Sequence, residues 1–223
     1  GPFAFLERYQ PSYVCNSSDI GGRYAFNRQV EMAEWNLTAL GQTFTGRVEL
    51  DALRDTLTAF TPLQQALYEQ RMRARLGLEG EQAGDQTLIE RLLRILQTAE
   101  LDYNGFFRQL SEADAIEQLL PLAGACVVPA DLQQWLQDWW SRAMPAGRDG
   151  SQRQQAMQAV NPLYVLRNAL IQETIEAARQ QDYAPVQHLH QLMSNPFVAV
   201  AGCEHYAQPT APERQGWPLS CSS

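Results

Sequence analysis

Residues 129–144, PADLQQWLQDWWSRAM, place Leu132, Trp135, Leu136, Trp139 and Ala143 at helical spacing. Side chains three and four positions apart share one face of an α-helix, and Pro129 suits a first helical position, where its missing N–H has no intrahelical partner to lose. The stretch predicts a helix that carries two tryptophans into a core.

The same period recurs on both sides of it. Leu50, Leu53, Leu57 and Phe60 form one amphipathic stripe, and Leu88, Leu92, Ile95, Leu96 and Ala99 form another. In NPLYVLRNALIQETIEAARQQ, residues 161–181, Asn161 can cap and Pro162 can open a helix. Leu163, Leu166 and Leu170 make one apolar stripe there, and Tyr164, Ile171 and Ile175 a second, which predicts a central helix. Only ACVV at 125–128 has strand character. The fold class expected is mainly α.

Organisation follows from where the period starts and stops. Residues 1–28 mix aromatics, glycine and small polar residues without helical period and read as an ordered loop. Residues 29–200 read as helical, interrupted by the linker GLEGEQAG at 77–84 and the loop PAGRDG at 145–150. Residues 201–223 carry proline and glycine breakers and read as an irregular tail.

A chain of 223 residues with 45% hydrophobic and 19% charged residues suits one or two globular domains. The first residues show no targeting pattern, and no apolar run approaches the roughly 20 residues that span a bilayer, so a soluble chain without a membrane partner is expected. The net charge of −8, with no basic stripe against it, argues against nucleic acid. All 17 basic residues are arginine. Without lysine the chain lacks the side chain used by P-loops, kinase-type nucleotide sites and Schiff-base enzymes.

The four cysteines are Cys15, Cys126, Cys203 and Cys221. They show no CxxC spacing and allow three full pairings. Cys126 sits in an apolar phrase and reads as a plain buried thiol. For Cys221 the nearby terminal carboxylate raises the thiol pKa, so pairing with another cysteine suits it better than acting as an autonomous nucleophile. His188, His190, Cys203 and His205 offer zinc-ligand chemistry, yet positions two apart on a helix diverge, so His188 and His190 are not expected to converge and no metal site is assigned. NSS at 16–18 and NLT at 36–38 are chance matches to a glycosylation acceptor.

Several phrases taken together resemble one family: GPFAFLERYQPSYVCNSSD, GRYAF, WNL, FFRQL, NPLYVLRN and the terminal SCSS. They are similar, in order, to the C-terminal part of the selenoprotein O family, also called the YdiU family. The match is clearest at both ends and around 161–168, and weakest between residues 45 and 130.

The resemblance implies a protein-kinase-like fold, of which this chain would be the helical lower lobe plus an irregular tail. It implies an enzyme that binds ATP with Mg2+ or Mn2+, transfers AMP to Ser, Thr or Tyr hydroxyls of protein substrates and releases pyrophosphate. Gly1, Pro2 and Phe3 look like the end of the family's Asp-Tyr-Gly-Pro-Phe phrase, so Gly1 would border the metal-binding motif. The catalytic and cofactor-binding residues would then lie upstream, with none in this chain. The isolated chain is expected to bind neither ATP nor metal tightly, to be inactive, and to have the upstream portion as a partner.

Residues 1–28 would correspond to the activation-segment region. The position of Cys221 is selenocysteine or cysteine in the family, which implies redox chemistry and a reversible Cys15–Cys221 disulfide. Cysteine there also points to a bacterial, cytoplasmic protein. Two departures stand out: Ser17 occupies the place of a family histidine, and Cys203 is an extra thiol that competes for pairing. The rival readings are a non-catalytic helical protein-interaction module and a small zinc-stabilised module.

Overall fold

The computed structural model describes residues 5–214. Among them the regular structure is helical: α1 (Gln29–Gln42), α2 (Leu50–Thr58), α3 (Phe60–Arg75), α4 (Asp85–Ala99), α5 (Tyr103–Glu112), α6 (Leu120–Gly124), α7 (Pro129–Ala143), α8 (Gly150–Gln158), α9 (Asn168–Arg179) and α10 (Ala184–Ser194). Short 3-10 turns stand at Phe26–Arg28, Ile116–Gln118, Glu204–Ala207 and Pro212–Arg214.

The core is built around α7. Leu132, Trp135, Leu136 and Trp139 are wholly excluded from water, and removing each from solvent contributes about 2 to 3 kcal/mol. The two indoles lie parallel, 6.0 Å apart, and each spends its N–H on a backbone carbonyl: Trp135 donates to Leu88 O in the first turn of α4 at 2.8 Å and Trp139 to Leu76 O just past α3 at 2.9 Å. Buried indoles need such a partner, and these two tie α7 to α4 and to the end of α3. Leu88, Leu92, Ile95 and Leu96 of α4 fill the other side of this core, with Phe106, Phe107 and Leu110 of α5 and Met157 of α8.

Past Arg75 and Leu76, Gly77 with a φ of +65° carries the chain out of α3 into a turn closed by Leu78 N–H to Arg73 O at 2.9 Å. A buried arginine and a partly buried one hold the helix ends that follow. Arg153 of α8 donates to Leu110 O at 3.1 Å and to Ala113 O, so a cation sits on the carbonyl end of α5, where the helix dipole favours it. Arg142 forks onto Asp85 at 2.8 and 3.0 Å and fixes the start of α4.

Three expectations are corrected. ACVV at 125–128 is a turn and bends between α6 and α7 with no strand pairing. The helix expected from Asn161 begins only at Asn168, because the preceding segment spends its donors elsewhere: Leu163 and Tyr164 N–H both reach Pro196 O, at 2.8 and 3.0 Å. With its first two turns removed, α9 is peripheral instead of central; Ala169 is its only buried residue and Ile175 is exposed. The stripe Leu50–Phe60 also divides between α2 and α3, which meet at Ala59.

Candidate functional site

The expected loop at 1–28 is described from Phe5 onward, and residues 5–25 form turns and bends. Its first stretch is pinned to the start of α5. Tyr103 N–H donates to Glu7 O at 2.7 Å, Asn104 Nδ2 donates to Leu6 O at 3.2 Å, and Tyr9 stacks on Tyr103 with centroids 5.6 Å apart. Asp19 N–H donates to Asn16 O at 3.0 Å, closing the turn that carries Ser17, and the Asp19 carboxylate accepts from the N–H groups of Arg23 and Tyr24 at 3.0 and 2.8 Å, closing the next one, which carries Ile20.

Asp102 organises this junction. It caps α5 by accepting from Gly105 N–H at 2.6 Å and takes a two-pronged ion pair from Arg167 at 2.6 and 3.1 Å. Arg167 is almost fully buried, and it stands at the last position of the extended segment 161–167, immediately before α9. At the other end of that segment Asn161, also buried, takes a hydrogen bond from Arg75 Nε at 3.0 Å and donates back to Arg75 O at 2.8 Å. Arg75 itself lies over the rings of Phe107 and Tyr103, at 3.8 and 4.9 Å from their centroids. NPLYVLRN is therefore an extended clamp between α3, α5 and the loop, and not a helix.

The tail closes onto the same place. Thr210 Oγ1 donates to Glu7 Oε1 at 2.9 Å, and Arg214 pairs with Glu173 of α9 at 2.5 Å. Burial pushes the Glu7 carboxyl above its ordinary pKa, against the opposing pull of Thr210 and Arg167. Burial likewise raises the Tyr13 phenol, partly countered by a side-chain hydrogen bond with Asn168 and reinforced by the nearby Cys15. Tyr13 in the loop and Arg214 in the tail thus both meet the first turns of α9.

Of the residues singled out in sequence, Cys15 is half-buried in the loop, whereas Gly1 and Cys221 lie outside the described residues. Cys126 is buried, as expected of a plain thiol. Cys203 is buried in a separate small cluster with Tyr164 and Leu192, its Sγ 3.3 Å from His188 Nε2, and Tyr206 stacks on that imidazole. His190 is exposed and apart from it, and among the described residues no group of three or more His, Cys, Asp or Glu side chains converges. Asp102, Glu7 and Thr210 were not singled out in sequence. Only Asp102 left a sign, an Asp immediately before a helical phrase.

This donor set does not fit a metal–triphosphate site. The buried cations Arg153 and Arg167 and the partly buried Arg75 and Arg142 are each spent on carbonyls, an amide, a ring or a carboxylate within the fold. What the arrangement does is hold a loop, a clamp and a tail in one fixed relation.

Comparison with known proteins bears on what that relation serves. The family model described as protein adenylyltransferase SelO matches residues 1–194. Proteins named protein nucleotidyltransferase YdiU from Ectopseudomonas mendocina, Stutzerimonas stutzeri and Pseudomonas aeruginosa are 42%, 42% and 43% identical to the chain. The whole of this chain aligns with 46% of each relative, in its C-terminal part, so the chain spans about half their length.

Proposed function

Because the chain belongs to the protein adenylyltransferase SelO family, we propose that it is the helical C-terminal part of a protein adenylyltransferase with a kinase-like fold, moving AMP from ATP to protein hydroxyls with release of pyrophosphate. The observation that carries this reading is the family match over residues 1–194. Nucleotide, Mg2+ or Mn2+ and the reacting groups belong to the portion that precedes this stretch in the longer relatives; the lysine-free composition and the committed arginines support that division. This chain contributes position: it anchors the activation-segment-like loop through Glu7, Asp102 and Arg167. Transfer of this kind depends mainly on placement and charge neutralisation, so a displaced loop lowers the rate without removing a reacting group.

The second element of the proposal is redox control through Cys15 and Cys221. Support comes from Tyr13, two residues before Cys15, and Arg214, seven residues before Cys221, which meet the same end of α9. Seven residues reach at most about 25 Å, which is the span the latch allows between Arg214 and the loop. Two thiols would lose two protons and two electrons to an oxidised thiol partner such as glutathione disulfide.

The test uses α-labelled ATP, divalent metal and a protein acceptor, with this chain and with the longer protein. Label transferred by the longer protein alone is the expected result. Label transferred by this chain alone would overturn the division of labour, and none from either would sink the adenylyltransferase reading. Non-reducing peptide mapping after oxidation is expected to recover Cys15 joined to Cys221; Cys221 recovered with Cys203 refutes the latch.

A further inference from the structure

Every residue between Met32 and Met72 is at least partly exposed, although this stretch is as apolar as the helices that build the core. Trp35, Leu40, Phe44, Leu50, Leu63 and Leu67 are 43–59% exposed, and a groove of about 330 Å3 runs along α3 between Phe60 and Arg71. The contrast with α4 is direct. Both stripes have helical period, but Leu88, Leu92 and Leu96 are buried whereas Leu50 is half exposed. A three-helix unit in which α1, α2 and α3 touch mainly one another buries too little to explain its own composition.

We infer that the α1–α3 face is the docking surface for the portion that precedes this stretch in the longer family members. Two observations identify that occupant. More than half of each relative's length lies outside the aligned part, and the aligned part is C-terminal, so the remainder must reach this chain at its first residues. Those residues lead to the face: Tyr9 stacks on Tyr103, the phenol of Tyr68 lies close enough to both rings to feel them, and Arg23 of the loop covers the Trp35 ring at 4.7 Å. The rim carries unpaired charges of both signs among the described residues, Glu34, Glu49 and Asp55 beside Arg47 and Arg71, the last of which lines the groove itself. The docked surface is therefore apolar at its centre with charged groups of both signs around it. The inference rests on the family reading above for the identity of the occupant and not for the existence of the face.

Hydrogen exchange decides it, comparing this chain with the longer protein. Amides of residues 33–71 are expected to exchange about tenfold or more slowly in the longer protein, while those of α4 and α7 change little. Leu63→Asp with Leu67→Asp should abolish that gain in the longer protein and leave the melting of the 223-residue chain nearly unchanged, both side chains being exposed already. Trp35→Asp supplies an independent variant. Equal exchange in the two proteins overturns the inference. So does protection of this chain alone that rises with its concentration, which would assign the face to a second copy, and so does protection that appears only with a protein acceptor. AMP transfer by the longer protein is measured in parallel. Protection without transfer sinks the enzymatic reading alone, and transfer without protection sinks the docking surface alone.

Discussion

Arg167 and Asp102 stand 65 residues apart in sequence and meet through two hydrogen bonds, Nη1 to Oδ2 at 2.6 Å and Nη2 to Oδ1 at 3.1 Å, while the same carboxylate caps α5. One aspartate thereby fixes the start of a helix and the end of the extended clamp. Removing either partner leaves a buried charge uncompensated, so Arg167→Met and Asp102→Ala should each lower stability by about 3 to 5 kcal/mol in urea unfolding. The double variant should cost less than the sum of the two, because the second change removes the orphaned charge. Additive losses would mean that the pair is not coupled.

Glu7 gives a pH signature. Burial raises its folded-state pKa above the ordinary 4.5. A carboxyl whose pKa is raised on folding adds stability that is fully present below the unfolded value and is lost as pH rises through the folded value. Glu7→Gln keeps an oxygen for Thr210 and removes the titration, so its stability relative to the original chain should improve as pH rises from 4 toward neutrality. Unfolding curves of both proteins across that range check the sign; a difference independent of pH would show that folding does not raise the Glu7 pKa.

Gly77 is a steric prediction. Its φ is +65°, and a Cβ there would stand 2.6 Å from Met157 Sδ and 2.8 Å from Met157 Cγ, against a side chain that is itself fully buried. Gly77→Ala should cost about 2 to 4 kcal/mol, combining left-handed strain with overpacking. Gly80, with nearly the same φ and nothing within 4 Å of a Cβ, should lose only the strain when changed to alanine. Thermal melting of the two variants separates packing from backbone.

Periodicity made α4 and α7 legible, because the residues that set the period are those that meet the core: Leu88, Leu92, Trp135 and Trp139. It misread 161–167 because Asn161 and Pro162 also suit a helix start. What decided the backbone there was a remote acceptor, Pro196 O, and a remote carboxylate, Asp102, and no local pattern encodes either. It also gave α2 a buried face that this chain leaves uncovered, since period records that a face has a partner and not where the partner lies. The resemblance singled out NPLYVLRN without revealing its role, as Arg167 acquires meaning only when the fold brings Asp102 to it.

The thiols separate by environment, and that decides whether Cys203 competes for Cys221. Cys203 is 4% exposed, packed on Tyr164 and Leu192, with His188 Nε2 at 3.3 Å and Tyr206 stacked behind that imidazole. Cys126 is 9% exposed, its Sγ accepting from Val128 N–H at 3.4 Å. An alkylating reagent reaches such thiols only through local opening, so in the native chain both should react at least about 100-fold more slowly than in urea. His188→Ala removes the cover of Cys203 alone and should restore much of its rate while leaving Cys126 slow, as read by mass spectrometry of the modified peptides. Rapid native labelling of Cys203 in the original chain would instead make it a competent partner for the tail, and the assignment of Cys15 to Cys221 would fall with it.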